Sequence, residues 1–235
     1  MSGPGRRDGP LLFSHIPKTA GTSLKNLLLC SVPDTLLVYG GELALGAPDI
    51  AFIQRFRERP RPPLVMGHFS YGVHRLLGIL PRYVSVLRHP IDRVVSLYRH
   101  QRRVPDSPFK EQMEAGMSLR DFVASGITET TNNHMCRIVA GIPPEAGMVI
   151  NKDWLYDLAV HNLELHYEIV GTIDEVPRVA QQVAASLGIA AAAVPFDNVA
   201  GGEAPALDES TLRTIIDFNL LDLRLYEHVS ARRGS

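Results

Sequence analysis

Short apolar runs alternating with helical patterns predict an α/β fold, a single domain with a central parallel sheet flanked by helices. Three observations carry this reading. The runs at 11–15, 64–67 and 83–87 are too short for helices and are each bounded by turn or helix-start residues. Between them lie segments with apolar residues three and four apart, and strands alternating with helices build parallel sheets covered on both faces. No linker-like stretch splits the 235 residues, so residues 11–235 read as one domain after a Gly/Pro/Arg-rich start, 1–10, expected to be disordered.

The elements follow in order. Residues 11–15 form the first strand, and 22–29 a helix with Leu24, Leu27 and Leu28 on one face. Residues 36–39 give a second strand. A helix over 50–59 is broken by Pro60, Pro62 and Pro63. Residues 64–67 and 83–87 read as buried strands. Pro90 starts a helix whose Ile91, Val94, Val95 and Tyr98 face a core. The second half is mainly helical, at 118–125, 133–140 and 153–164. A last strand covers 167–171. Amphipathic helices over 176–187 and 208–229 are separated by the Gly/Ala/Pro-rich stretch 188–206.

Composition excludes several classes. A net charge of -1 and the absence of a basic stripe argue against a nucleic-acid binder. Hydrophobic residues make up 45% of the chain, which is ordinary for a folded domain. No run approaches the roughly 18 apolar residues of a membrane span. No apolar segment precedes the first strand, so a cytoplasmic location is expected. Cys30 and Cys136 form no CxxC pair and are expected to be two buried free thiols, the alternative being one bridge between them; no Cys/His cluster has zinc-binding spacing.

The chemistry concentrates at two strand-to-helix junctions. The first is His15-Ile16-Pro17-Lys18-Thr19-Ala20-Gly21-Thr22-Ser23-Leu24. A loop entering a helix can aim free N–H groups at an anion. Gly21 permits close approach, Thr22 and Ser23 offer hydroxyls, and Lys18 offers a point charge. It is no Walker A loop, because that motif places its lysine directly after the second glycine. A bare helix cap by Thr22 or Ser23 would explain those hydroxyls but not the Pro-Lys-Thr-x-Gly run.

The second junction is the strand ending in Leu87-Arg88-His89-Pro90, followed by Asp92-Arg93-Val94-Val95-Ser96. An arginine grips phosphate with two N–H donors, and a serine hydroxyl completes the shell. For Arg93, a helix-surface ion pair or a contact to the sheet is the expected role.

The wording of both segments resembles the sulfotransferase family, in particular its carbohydrate branch that includes heparan sulfate 2-O-sulfotransferase. The resemblance implies 3′-phosphoadenosine 5′-phosphosulfate (PAPS) as donor, its product PAP, and no metal. It implies a P-loop-like phosphosulfate-binding loop in which Lys18, Thr19, Ala20, Gly21, Thr22 and Ser23 cradle the 5′-phosphosulfate. Lys18 would also steady the charge on the leaving oxygen, and Arg88 and Ser96 would hold the 3′-phosphate. Asn133-x-x-x-Arg137 is similar to a family segment near the nucleotide or acceptor, which makes Arg137 a cofactor candidate.

Transfer to a hydroxyl needs a base, and a histidine is suited to it. Of nine histidines, His68 in Met66-Gly67-His68-Phe69-Ser70-Tyr71 follows a buried strand, where parallel sheets line their ligand crevice. The branch carries His-Gly-His-x-Ser-Tyr there, so His68 matches while Met66 replaces the first histidine. The other reading of His68 is a partly buried structural residue. His15 is the rival base, or an anchor of the loop through a hydrogen bond. Residues 102–130 read as a loop-rich acceptor lid. The arginines at 55, 57, 59 and 61, and at 99, 102 and 103, fit either a solvated face or an acidic acceptor. The expected activity is O-sulfotransfer to a carbohydrate or small-molecule acceptor. The alternatives are a nucleotide-dependent phosphotransferase and a non-catalytic PAP- or PAPS-binding module.

Overall fold

β1 (Leu11–Ser14) is the middle strand of a five-stranded sheet, all of whose pairings are parallel, in the order β2-β3-β1-β4-β5. The other strands are β2 (Leu36–Val38), β3 (Leu64–Gly67), β4 (Tyr83–Leu87) and β5 (Tyr167–Thr172). The computed structural model describes residues 9–19, 21–32, 34–39, 50–58, 62–142, 152–190 and 207–232. Most of the stretch expected to be disordered, 1–10, and most of 188–206 lie outside the described residues.

All four residues of β1 and β3 are buried, as expected of central strands covered on both faces. On one face, α1 (Gly21–Ser31) and α9 (Val176–Leu187) pack Leu24, Leu28, Val179 and Val183 against Leu11, Phe13, Met66 and Val84. The opposite face buries Leu12, Val65 and Leu87 under α2 (Ile50–Glu58), α3 (Val73–Leu77), α7 (His134–Ala140), α8 (Lys152–His166) and α11 (Leu220–Ala231). Among the described residues no helix is long and apolar enough to cross a membrane.

A third cluster lies beside the sheet. α4 (Pro90–Arg103) packs Val94, Leu97 and Tyr98 against α5 (Lys110–Glu114), α6 (Leu119–Ala124) and α10 (Glu209–Phe218). The segment 102–130, expected to be loop-rich, carries the short helices α5 and α6 between its turns. Buried Met113, Leu119, Phe122 and Val123 give it a core of its own.

The single helix expected over 208–229 is two, α10 and α11, broken at Asn219. The buried Asn219 amide donates to the carbonyls of Thr131 (2.8 Å) and Ile215 (2.9 Å), a use of the side chain that competes with continuing the helix. The break starts α11 against α7, and the two helices cap each other. Asn133, at φ 45°, accepts from the N–H groups of Leu221 (2.9 Å) and Asp222 (3.3 Å) through Oδ1. The Asp222 carboxylate in turn accepts from Met135 N–H (3.0 Å) and Cys136 N–H (2.8 Å).

Arg93 closes this hub. It is neither a surface ion pair nor a sheet contact but fully buried, donating to the Thr130 carbonyl at 2.7 Å within the field of Asp222. Burial lowers the Arg93 pKa, and the Asp222 charge works against that. Asp222→Ala removes both side-chain hydrogen bonds that cap α7 and the nearby counter-charge of a buried arginine together. Breaking a buried pair costs about 3–5 kcal/mol, so urea unfolding should show a loss of that order. Asp222→Asn, which keeps an acceptor, should lose less. An unfolding midpoint unchanged in Asp222→Ala would remove the hub from the account of stability.

Candidate active site

β1 pairs with β3 on one side and β4 on the other, so three strands end along one short edge. Both junctions singled out in the sequence meet there. Ser85 Oγ donates to the Ser14 carbonyl at 2.8 Å, tying β4 to the end of β1. Beyond Ser14 the chain turns through Pro17 and Lys18 into α1. Thr19 is buried, and its hydroxyl donates to the Ile16 carbonyl at 2.8 Å. It thus braces the loop from within and leaves its main chain for a ligand. Gly21, Thr22 and Ser23 form the first turn of α1, and Ala20 lies outside the described residues.

Lys18 has φ 72°, a left-handed conformation that a side chain makes costly. It is half-buried, and its ammonium pKa is lowered by burial first and then by Arg88 and Arg103. Arg88, just past β4, donates from Nη1 to the Lys18 carbonyl at 3.3 Å. Its own pKa is lowered by burial, with Asp92 and Asp174 opposing that shift and Arg99 adding to it. Ser96, two turns into α4, is half-buried. The His100 pKa is lowered by burial and then by Lys18, which puts that part of α4 within the field of the loop.

His68 follows β3, where Gly67 lets the backbones close up. A Cβ on Gly67 would strike the Val38 carbonyl. The His68 N–H donates to that carbonyl at 3.1 Å. The next residues are pinned in turn: Ser14 Oγ donates to the Phe69 carbonyl at 2.5 Å, and Tyr71 N–H donates to the Ile138 carbonyl at 2.9 Å. The Tyr83 hydroxyl accepts from the N–H groups of Gly72 (3.0 Å) and His74 (3.2 Å). Its one proton therefore points to His74 Nδ1, 2.9 Å away. That fits a His74 pKa lowered to about 4 by burial, Arg75 and His166.

Three rings gather at this edge. The His68 ring centroid is 4.9 Å from that of His15 and 4.9 Å from that of Tyr39, and His15 and Tyr39 are 5.5 Å apart. His68 is half-buried, and burial lowers its pKa. His15 is buried and held near pKa 3, by burial first and then by His68, Lys25 and Lys18. Its ring makes no hydrogen bond among the described residues, so it does not anchor the loop as expected. The anchor is its backbone N–H, which donates to the Gly67 carbonyl at 2.8 Å.

From the other side α7 brings His134 and Arg137. His134 is fully buried, and its pKa is pushed well down by burial, then by Arg93, His68 and Arg137. Arg137 is buried and donates from Nε to the Asn132 carbonyl at 3.2 Å. The edge thus collects Lys18, Arg88, Arg137 and neutral imidazoles around His68. It can hold a polyanion and accept a proton at a neutral ring. Tyr39 and His134 were not expected here. Tyr39 ends the second strand with no motif around it, and its place on the C-terminal edge was the one available signal.

The sequence model of the sulfotransferase family matches residues 6–228. Among curated proteins none matches the chain in sequence. Among solved structures, a sulfotransferase from Alicyclobacillus acidocaldarius is similar over 94% of this chain and 95% of its own, with TM-score 0.53 and 15% identity. A mouse sulfotransferase, SULT7A1 complexed with PAP, is similar over 90% of this chain and 63% of its own, with TM-score 0.48 and 14% identity. At this identity the bacterial structure supports the fold alone.

The left-handed Lys18 gives a stability test that is independent of any ligand. Lys18→Ala and Lys18→Gly both remove the charge, but only alanine keeps the Cβ that makes this conformation costly. The glycine variant should be the more stable by about 1 kcal/mol in urea unfolding. Equal stability of the two would mean that Lys18 carries no backbone strain.

Proposed function

Because the chain belongs to the sulfotransferase family, we propose that it transfers a sulfuryl group from PAPS to the hydroxyl of a carbohydrate or small-molecule acceptor, releasing PAP. The observation that carries the reading is the meeting of two half-buried cations from separate strand-to-helix junctions, with Arg88 donating to the Lys18 carbonyl. Burial and Arg88 both disfavour the charge on Lys18, an arrangement that a bound anion would relieve. A donor with anionic groups at two ends of an adenosine fits two such junctions side by side.

In this reading PAPS supplies an activated sulfuryl group whose leaving group is a phosphate oxygen. Lys18 and the main chain of residues 19–23 hold the 5′ end, with Thr19 stiffening the loop. Arg88 and Ser96 hold the 3′-phosphate, and Arg137 completes the cofactor set. Lys18 contributes most as negative charge grows on the leaving oxygen, so Lys18→Ala should lower kcat more than it raises KM for PAPS. His68, neutral because burial disfavours its charged form, takes the acceptor proton.

Sulfate transfer from labelled PAPS to a panel of alcohols tests the activity itself. A charge-assisted contact is worth about 1.5–3 kcal/mol, so Arg88→Ala should weaken PAP by roughly ten- to a hundredfold in calorimetry. Wild-type PAP affinity in that variant would move the 3′-phosphate elsewhere. His68→Ala should keep PAP affinity and lose about 10²–10⁴ in kcat. The wild type should lose kcat/KM as pH falls through the His68 pKa, which lies below the ordinary histidine value. The limb should be absent from the residual activity of His68→Ala.

A further inference from the structure

We propose that His15 and Tyr39 are positioning residues for His68: their rings fix its imidazole in one orientation at the edge of the sheet and keep water from its flank. The inference rests on the reading of His68 as the base. Tyr39 lies outside both loop motifs and His15 only opens the first, and they reach His68 from different strands, His15 just past β1 and Tyr39 just past β2.

The geometry is that of a three-ring cage. His15 meets His68 at an interplanar angle of 41°, and Tyr39 meets it edge-on at 81°. Edge-on and tilted contacts at such centroid distances are the favoured arrangements of aromatic pairs. Two neighbouring rings in contact with His68 and with each other restrict its outer torsion, where an imidazole otherwise samples broad wells. His15 is itself immobilised, because its backbone continues the β1–β3 ladder through its N–H to the Gly67 carbonyl. The Val38 carbonyl holds the His68 backbone, so the residue is fixed at both backbone and ring.

The cage also sets the charge state. Among the described residues, the charged or titratable groups around these rings are Lys18 on the loop, Lys25 on α1, and His134 on α7. Lys18, Lys25 and His68 all lower the His15 pKa, and Lys25 lies 5.6 Å from the Tyr39 ring centroid. None of these neighbours is a carboxylate that would stabilise an imidazolium. With the cage closed, burial keeps His68 neutral; with it opened, water relieves that burial and the pKa climbs toward the ordinary value.

The experiment compares kcat/KM against pH for the wild type, His15→Ala, His15→Phe, Tyr39→Ala, Tyr39→Phe and His68→Ala. PAP titration of each variant confirms a folded nucleotide site. His15→Ala and Tyr39→Ala should each lower kcat about tenfold with KM for PAPS unchanged, and should move the acid limb up by roughly half a pH unit or more. The phenylalanine variants keep a ring and should restore both kcat and the limb. Alanine variants whose limb stays at the wild-type pH would overturn the inference. A Tyr39→Phe defect equal to that of Tyr39→Ala would also overturn it, by moving the role to the hydroxyl. His68→Ala reports on the base separately: full turnover there removes that reading, whereas a loss there with unmoved limbs in the cage variants removes this inference alone.

Discussion

The parallel pairing of β1 with β3 on one side and β4 on the other is the constraint on which the rest depends. Parallel strands all end at the same edge, and the chain must leave that edge through a loop each time. Lys18 after β1, His68 after β3 and Arg88 after β4 are brought together by register alone. The cost is electrostatic. Burial and neighbouring cations disfavour charge on Lys18, and the carboxylates near Arg88, Asp92 and Asp174, offset the effect of burial there only in part. In the proposed reading, a bound anion would relieve that cost.

The opposite wall of the site is built differently. α7 has seven residues, too few to be stable alone, and it is held by side chains far apart in the chain. Asn133 and Asp222 cap each other's helices across a separation of 89 residues in the chain. Arg93 is buried in the field of Asp222, so a residue within the second junction segment serves the fold. His134 and Arg137 reach the site only because this hub fixes α7. Stability and function are therefore coupled here through a polar core that tolerates little change.

The histidines show how environment sorts residues of one type. His74 is held neutral by burial, Arg75 and His166, and its ring joins the Tyr83 hydroxyl in tying the segment after His68 to β4. His15 and His134 are more deeply buried and stay neutral for that reason. His68 combines partial exposure with a ring held by two neighbours. A general base needs that combination: access to a hydroxyl, a neutral ground state and one fixed orientation.

The sequence by itself determined the class of sheet and the five strands, and it marked the two strand-to-helix junctions that meet at one edge. Each of these is a local property, written in apolar periodicity or in the order of residues within a loop, and local backbone preferences carry it. The strand order decided the rest. It set His15 and Tyr39 against His68, turned the Thr19 hydroxyl inward, and buried Arg93 beside a carboxylate far along the chain. It also gave residues 102–130 a packed core and broke the last helix at Asn219, whose partner is the Thr131 carbonyl. Contacts of that kind join segments tens of residues apart. No periodicity records them, because the same local patterns are compatible with other strand orders, and the burial of a polar side chain is set by what packs over it.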